Sequence, residues 1–297
     1  MVTTELEPIT DWHRPLPDTD FFTAGSVAEA AQLARRHPGA QFIAGGTALV
    51  RFGRWGGEVP PALIYIGRLA ELRDITPDGT GARLGSLVVH SQLASSPVIR
   101  ERALLLAQAA AEVAGPAVRN LATLGGNIVV NWDLVPPLLA LDARVHTHDG
   151  EAEKTLPLAD LYDEAGQSRL GPAELITAVT VADDLARTAY QKVARRQAVS
   201  RAVMGVAVAM DLVDGTCGDV RIGLGGAGLH SRRLAAAEDE LRGHVLDDAL
   251  VARAGEIAQA SAADAVDVMD ASPWYTREMA RVMTERAING AAGRPVV

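Results

Sequence analysis

The sequence predicts an α+β protein in two parts: an α/β N-terminal portion, then an α+β portion whose small antiparallel sheet packs on helices. Three observations carry this. A capped helix, a short apolar strand and a glycine turn follow one another within the first 50 residues. Strands predominate from residue 175 to residue 224, and helices follow them. The 297 residues suit about two domains of ~100–200 residues each. The junction is placed at Asp183-Asp184, giving domains 1–182 and 185–297.

Taken in order, residues 26–37 read as a helix. Ser26 caps it, Glu29 sits three residues later, and Val27, Ala31, Leu33 and Ala34 recur near a 3.6 period. Pro38-Gly39 stops it. Gln41–Ala44 is short and apolar, as a buried strand requires, and Gly45-Gly46-Thr47 turns the chain after it. Ala62–Ile66 is a second strand, and the alternating Ala82–Val88 a third that leads into a short helix from Ser91. Residues 97–114 are Ala- and Leu-rich and predict one long helix ending at Gly115-Pro116. Leu138–Leu141 reads as a helical turn running into a strand at Ala143–His146. Leu175–Val181 is β-branched and alternating. Ala202–Val213 and Val220–Leu224 form a hairpin around Asp214-Gly215-Thr216. The remainder is helical at Arg232–Arg242, Asp247–Ala263 and Pro273–Asn289.

Composition narrows the function. With 28 basic and 37 acidic residues the formal charge is −9, which opposes a nucleic-acid partner. No apolar run reaches the ~20 residues of a membrane span, and the acidic Met1–Glu7 stretch has no secretory character. A cytoplasmic setting is expected. Cys217 is the only cysteine, so the chain by itself holds no iron–sulfur cluster and no intrachain disulfide. Lys154 and Lys192 are the only lysines.

Two glycine turns stand out: Ile43-Ala44-Gly45-Gly46-Thr47-Ala48-Leu49 and Thr123-Leu124-Gly125-Gly126-Asn127. Paired glycines after a strand let backbone N–H groups close on an anion, and a Thr hydroxyl adds a donor. Two such turns suit the diphosphate of a dinucleotide. Neither is a P-loop, since no Lys follows, and neither has the spacing of a Rossmann fingerprint. The alternative is that each pair simply permits a tight turn.

These turns, with Tyr190–Arg196, the strand Arg221-Ile222-Gly223-Leu224-Gly225-Gly226 and Trp274-Tyr275-Thr276-Arg277, occur in one order that resembles a family. It is the FAD-binding medium subunit of the molybdenum hydroxylases, the xanthine dehydrogenase and carbon monoxide dehydrogenase type. The resemblance covers essentially the whole chain. It implies a two-part FAD-binding domain of the PCMH type, a flavin-dependent oxidoreductase subunit, and electron transfer to NAD or O2. An iron–sulfur small subunit and a molybdopterin large subunit are the implied partners. Ile43–Leu49 and Thr123–Asn127 would hold the FAD diphosphate through backbone amides. Ile176 would contact the adenine end, Val113 would touch the cofactor, and Lys192 would lie by the flavin.

Two departures qualify this. Ala48 stands where the family commonly has Asp. The stretch Val129–Leu138 is a few residues shorter than the family's loop and carries Trp132, with Asp133 the best counterpart of a cofactor-binding Asp. They motivate two alternatives: a free-standing flavoenzyme acting on a small molecule, and a flavin-free interaction module. No catalytic residue and no metal ligand is assigned. His146 and His148 alternate on one strand with no third ligand. His90 reads as a structural helix opener, and Asp183-Asp184 and Glu238-Asp239-Glu240 as solvated faces.

Overall fold

The computed structural model describes residues 19–49, 59–196, 199–200, 202–268 and 271–296. The Met1–Glu7 stretch lies outside them. The first lobe holds β1 (Asp20–Thr23), α1 (Val27–Arg36), β2 (Gln41–Ile43) and β3 (Ala62–Tyr65). Its three strands are parallel in the order β1-β3-β2. Ser26 caps α1 by accepting from the Glu29 amide at 3.1 Å, and the Glu29 carboxylate accepts from the Gly25 amide at 2.7 Å.

A second lobe follows, built on an antiparallel sheet of five strands. They are β4 (Ile75–Asp78), β5 (Gly81–Gly85), β6 (Arg144–His148), β7 (Glu153–Pro157) and β8 (Leu175–Val181), in the order β4-β5-β8-β6-β7. Between β5 and β6 run six short helices: α2 (His90–Ser95), α3 (Pro97–Arg102), α4 (Leu104–Glu112), α5 (Pro116–Arg119), α6 (Leu124–Val129) and α7 (Val135–Ala140). The single helix expected over 97–114 is therefore two. Ala103 breaks it at φ −151°, and the Asp184 carboxylate accepts from the Leu105 amide at 3.3 Å, capping the second piece. Asp184 is thus no solvated acid.

The third lobe has an antiparallel sheet, β12-β11-β10-β9, covered by three helices. Its strands are β9 (Arg187–Ala194), β10 (Ala202–Val213), β11 (Thr216–Gly226) and β12 (Leu229–Arg233), and its helices α8 (Ala235–Leu241), α9 (Asp248–Ser261) and α10 (Pro273–Ala292). Asp214 and Gly215, at φ 52° and 79°, make a two-residue hairpin turn, one residue shorter than expected because Thr216 already pairs with Val213 in the return strand. The helix expected to begin at Arg232 starts three residues later, because Leu229–Arg233 pairs with β11. Glu238 is buried, accepts from the Ile222 amide at 2.8 Å and pairs with Arg233 at 2.7 Å, so it too is no surface acid.

This third sheet is buried on both faces. Met204, Val206, Val208 and Met210 pack with α8–α10, while Ala207 and Ala209 join the core of the second lobe. The period of two explains the division: successive β10 side chains point to opposite cores. The face toward α7 is made of small residues, and a Cβ on Gly223 would meet the Pro136 carbonyl oxygen at 2.0 Å. Leu138 of α7 is fully buried in that contact zone.

Candidate functional site

Among the described residues the three lobes line a cleft of about 840 Å³, within the ~300–1,000 Å³ typical of small-molecule and cofactor sites. Fourteen of the sixteen singled-out residues line it: Ile43–Leu49, Val113, Thr123, Gly125, Gly126, Asn127, Asp133 and Ile176. The other two do not. Leu124 is fully buried in the core, and Lys192 stands behind the wall.

Both glycine turns lie on the cleft wall, and the first packs against Leu121-Ala122, the residues just before the second. A Cβ on Gly45 would lie 1.9 Å from the Leu121 carbonyl oxygen, so only glycine allows this approach. Gly46 has φ 66°, in the left-handed region. Among the described residues, nothing accepts a hydrogen bond from the amides of Gly45, Gly46 or Thr47. Backbone donors at a cavity wall without acceptors are what an anion requires.

The second turn is built differently. Thr123–Asn127 is not a loop after a strand but the cap and first turn of α6, with the Thr123 hydroxyl accepting from the Gly126 amide at 3.2 Å. The Leu124 and Gly125 amides donate to the Val88 and Ser86 carbonyls at 2.9 and 2.8 Å, and the Asn127 amide to the Thr123 carbonyl at 3.0 Å. The four amides after Thr123 are therefore already engaged. This turn supplies a wall rather than a ring of free donors.

That wall carries two polar side chains that the sequence did not mark as ligand contacts. Ser86 and His90 line the cleft at 2% and 1% exposure, and neither the Ser86 hydroxyl nor either His90 ring nitrogen has a hydrogen-bond partner. Burial pushes the His90 ring down to about 4, assisted by the nearby Arg119 charge and opposed by the Thr123 backbone. Arg119 itself donates to the Val113 and Ala114 carbonyls at 2.9 and 3.0 Å, fixing a bend where Ala114 has φ 42°.

The shortened stretch is pinned to the same turn. Asn127 accepts from the Leu134 amide through Oδ1 at 3.0 Å and from the Trp132 amide through its carbonyl at 3.2 Å. Trp132 lies on the cleft wall. Asp133 accepts from the Ala202 amide at 3.1 Å and faces Lys192 at 3.9 Å. Lys192 donates to the Glu112 and Ser200 carbonyls at 2.6 and 3.0 Å. The resemblance implied a lysine at the flavin; here its ammonium is enclosed by Asp133 and two carbonyls.

At the opposite side Ile176, in β8, is 5% exposed. Glu174 is held by the Thr147 hydroxyl at 2.5 Å and the Gly171 amide at 3.1 Å. Away from the cleft, His146 lies 3.2 Å from Glu153, and His148 accepts from the Gly150 amide at 2.8 Å. No helix among the described residues is long and apolar enough to cross a membrane.

Comparison with known proteins places this architecture. Residues 17–182 match the FAD binding domain in molybdopterin dehydrogenase, and residues 188–291 the CO dehydrogenase flavoprotein C-terminal domain. Among curated proteins, the nicotine 6-hydroxylase medium subunit of Paenarthrobacter nicotinovorans is 28% identical over 284 residues, covering 94% of this chain and 99% of its own. The 6-hydroxypseudooxynicotine dehydrogenase complex subunit alpha of the same organism is 31% identical, covering 94% and 96%. Among solved structures, carbon monoxide dehydrogenase from Hydrogenophaga pseudoflava, lacking the Mo-pyranopterin moiety, superposes with a TM-score of 0.88 at 30% identity. The match covers 95% of this chain and 99% of that one.

Proposed function

Since the chain belongs to the FAD-binding subunits of molybdopterin dehydrogenases, we propose that it seats FAD in the cleft between its glycine turns. There it passes electrons from partner chains to an external acceptor, NAD or O2. The observation that carries the placement is the row of acceptor-free amides at Gly45–Thr47 on the wall of the 840 Å³ cleft. A bound flavin would supply one- and two-electron transfer.

Each part of the wall then has a task. The Gly45, Gly46 and Thr47 amides would take the diphosphate, and Ala48 and Leu49 continue that wall. Val113, held by Arg119, and Ile176 offer apolar contact toward the two ends of the cofactor. Asn127 and Asp133 hold the Trp132 stretch in place. Lys192 acts from behind, by fixing the Ser200 carbonyl and Asp133, both on the cleft wall.

The partners follow from what the chain lacks in sequence. With Cys217 alone, iron–sulfur centres belong to another chain. Val118, Val129 and Val199 line the cleft at 37%, 46% and 61% exposure, an apolar rim suited to a docking protein. An iron–sulfur small subunit and a molybdopterin large subunit are the proposed partners, and residues 1–182 and 185–297 the two working domains. Purifying the full chain, recording its visible spectrum and identifying the released flavin by chromatography tests the reading. Release of FAD supports it; a colourless chain that takes up no added FAD overturns it.

A further inference from the structure

Two neighbouring donors of the cleft have no assigned task. Ser86 and His90 flank a three-residue segment, Leu87–Val89, that runs beside the second glycine turn. The Ser86 and Val88 carbonyls accept from Gly125 and Leu124, and the His90 amide donates to the Ala122 carbonyl. That pairing takes the Leu124 and Gly125 amides, and Thr123 takes those of Gly126 and Asn127. The pairing also leaves the Ser86 hydroxyl and the His90 imidazole on the cleft wall with no hydrogen bond of ordinary geometry, the Thr123 backbone making only a weak contact with the ring, although both residues are buried.

A buried polar group without a partner costs free energy, so three such atoms on one wall require a reason. A ligand that fills the cleft removes the cost. The first turn offers free backbone N–H groups; the second has committed its own, so side chains must meet an anion from that side. Thr123 and Asn127 already accept hydrogen bonds there, whereas Ser86 and His90 carry buried polar atoms that no neighbour satisfies. We infer that His90 and Ser86 hydrogen-bond the phosphate oxygens of the bound dinucleotide, replacing the backbone donors that the second glycine turn has given to the Ser86–Val88 segment. The inference rests on the cofactor reading above. A neutral imidazole keeps one N–H donor, and burial together with the Arg119 charge keeps the ring neutral near pH 7.

The test uses the full chain freed of flavin, with binding of FAD, ADP and riboflavin followed separately by fluorescence or calorimetry. His90→Leu and Ser86→Ala should each weaken FAD and ADP binding by about tenfold, the loss of one charge-assisted hydrogen bond, and leave riboflavin binding unchanged. His90→Gln, which keeps a polar amide, should recover part of the loss. Flavin-free His90→Leu should melt no lower than the parent chain, because it removes unpartnered atoms. Unchanged FAD affinity in both variants overturns the assignment, as does a loss seen with riboflavin rather than ADP. A lower melting temperature of flavin-free His90→Leu with unchanged ADP binding makes the ring a packing element and also overturns it. A parent chain that binds neither FAD nor ADP instead overturns the cofactor reading, and this assignment with it.

Discussion

Lys192 and Asp133 meet across the seam between the second and third lobes. The ammonium lies 3.9 Å from the carboxylate, and the two side chains are 9% and 5% exposed. Breaking one partner of a buried pair leaves an uncompensated charge, which costs about 3–5 kcal/mol. Lys192→Met should therefore destabilise the chain by that amount in urea unfolding. Adding Asp133→Asn should restore most of it, since the Asn oxygen still accepts from the Ala202 amide. A double-mutant cycle with no coupling would show that the pair does not act as one unit.

Gly45→Ala and Gly126→Ala should differ sharply. At Gly45 a methyl would meet backbone, the Leu121 carbonyl, at 1.9 Å; at Gly126 it would meet only the Thr123 hydroxyl at 3.0 Å. The first substitution should separate the turns and abolish FAD retention. The second should leave most of it. The flavin content of the purified variants decides between these outcomes.

Two titrating groups, one buried and one half-buried, pull stability in opposite directions with pH. Burial raises Asp184 to about 6, so its folded state holds the proton more tightly than the unfolded one. Its contribution favours folding at low pH and is lost as pH rises from about 4 to about 6. His90, lowered to about 4, binds its proton less tightly when folded, so its contribution is lost as pH falls from about 6.5 to about 4. Asp184→Asn should stabilise the chain at pH 7 by on the order of 1 kcal/mol, discounted for partial exposure. The gain should vanish at pH 4, as pH-dependent melting curves would show.

Trp132 lies on the cleft wall, so filling the cleft should quench its fluorescence. Trp132→Phe should remove most of the quenching that added FAD produces while leaving the folded spectrum intact. Quenching that persists in full in the variant would place the flavin elsewhere.

Leu138 packs in α7 with no exposure. Leu138→Ala should cost about 2–5 kcal/mol, read as a lower urea midpoint. A smaller loss would mean that the layer between the second and third lobes collapses around the gap.

Local signals in the sequence were legible where they acted locally. Ser26, Asp247 and the Asp214-Gly215 turn each announce a boundary through their own backbone chemistry, and each stands where expected. Both glycine turns line the cleft, as their composition suggested. What failed depended on distant partners. Ala103 breaks a helix whose composition favours continuity, because Asp184 from the far end of the lobe caps the second piece. Glu238 looks like one of three surface acids until Arg233 and the Ile222 amide enclose it. Strands β4, β7 and β12 lack a clean alternation, so only their neighbours make them strands. Ser86 and His90 gave no sequence signal as a pair, since their shared burial is a product of the fold.

The close approach of Gly223 to Pro136 works as a lever. Pro136 sits in α7, and Trp132 and Asp133, three and two residues upstream of its first residue, are cleft wall. A side chain added at Gly223, in the third lobe and remote in sequence from either glycine turn, has to push on the helix that carries those two residues. Tuning of the cofactor's surroundings is thereby open to positions that never touch it, and the thin spacing of this sheet is as much a setting of the cleft's shape as the residues that face it.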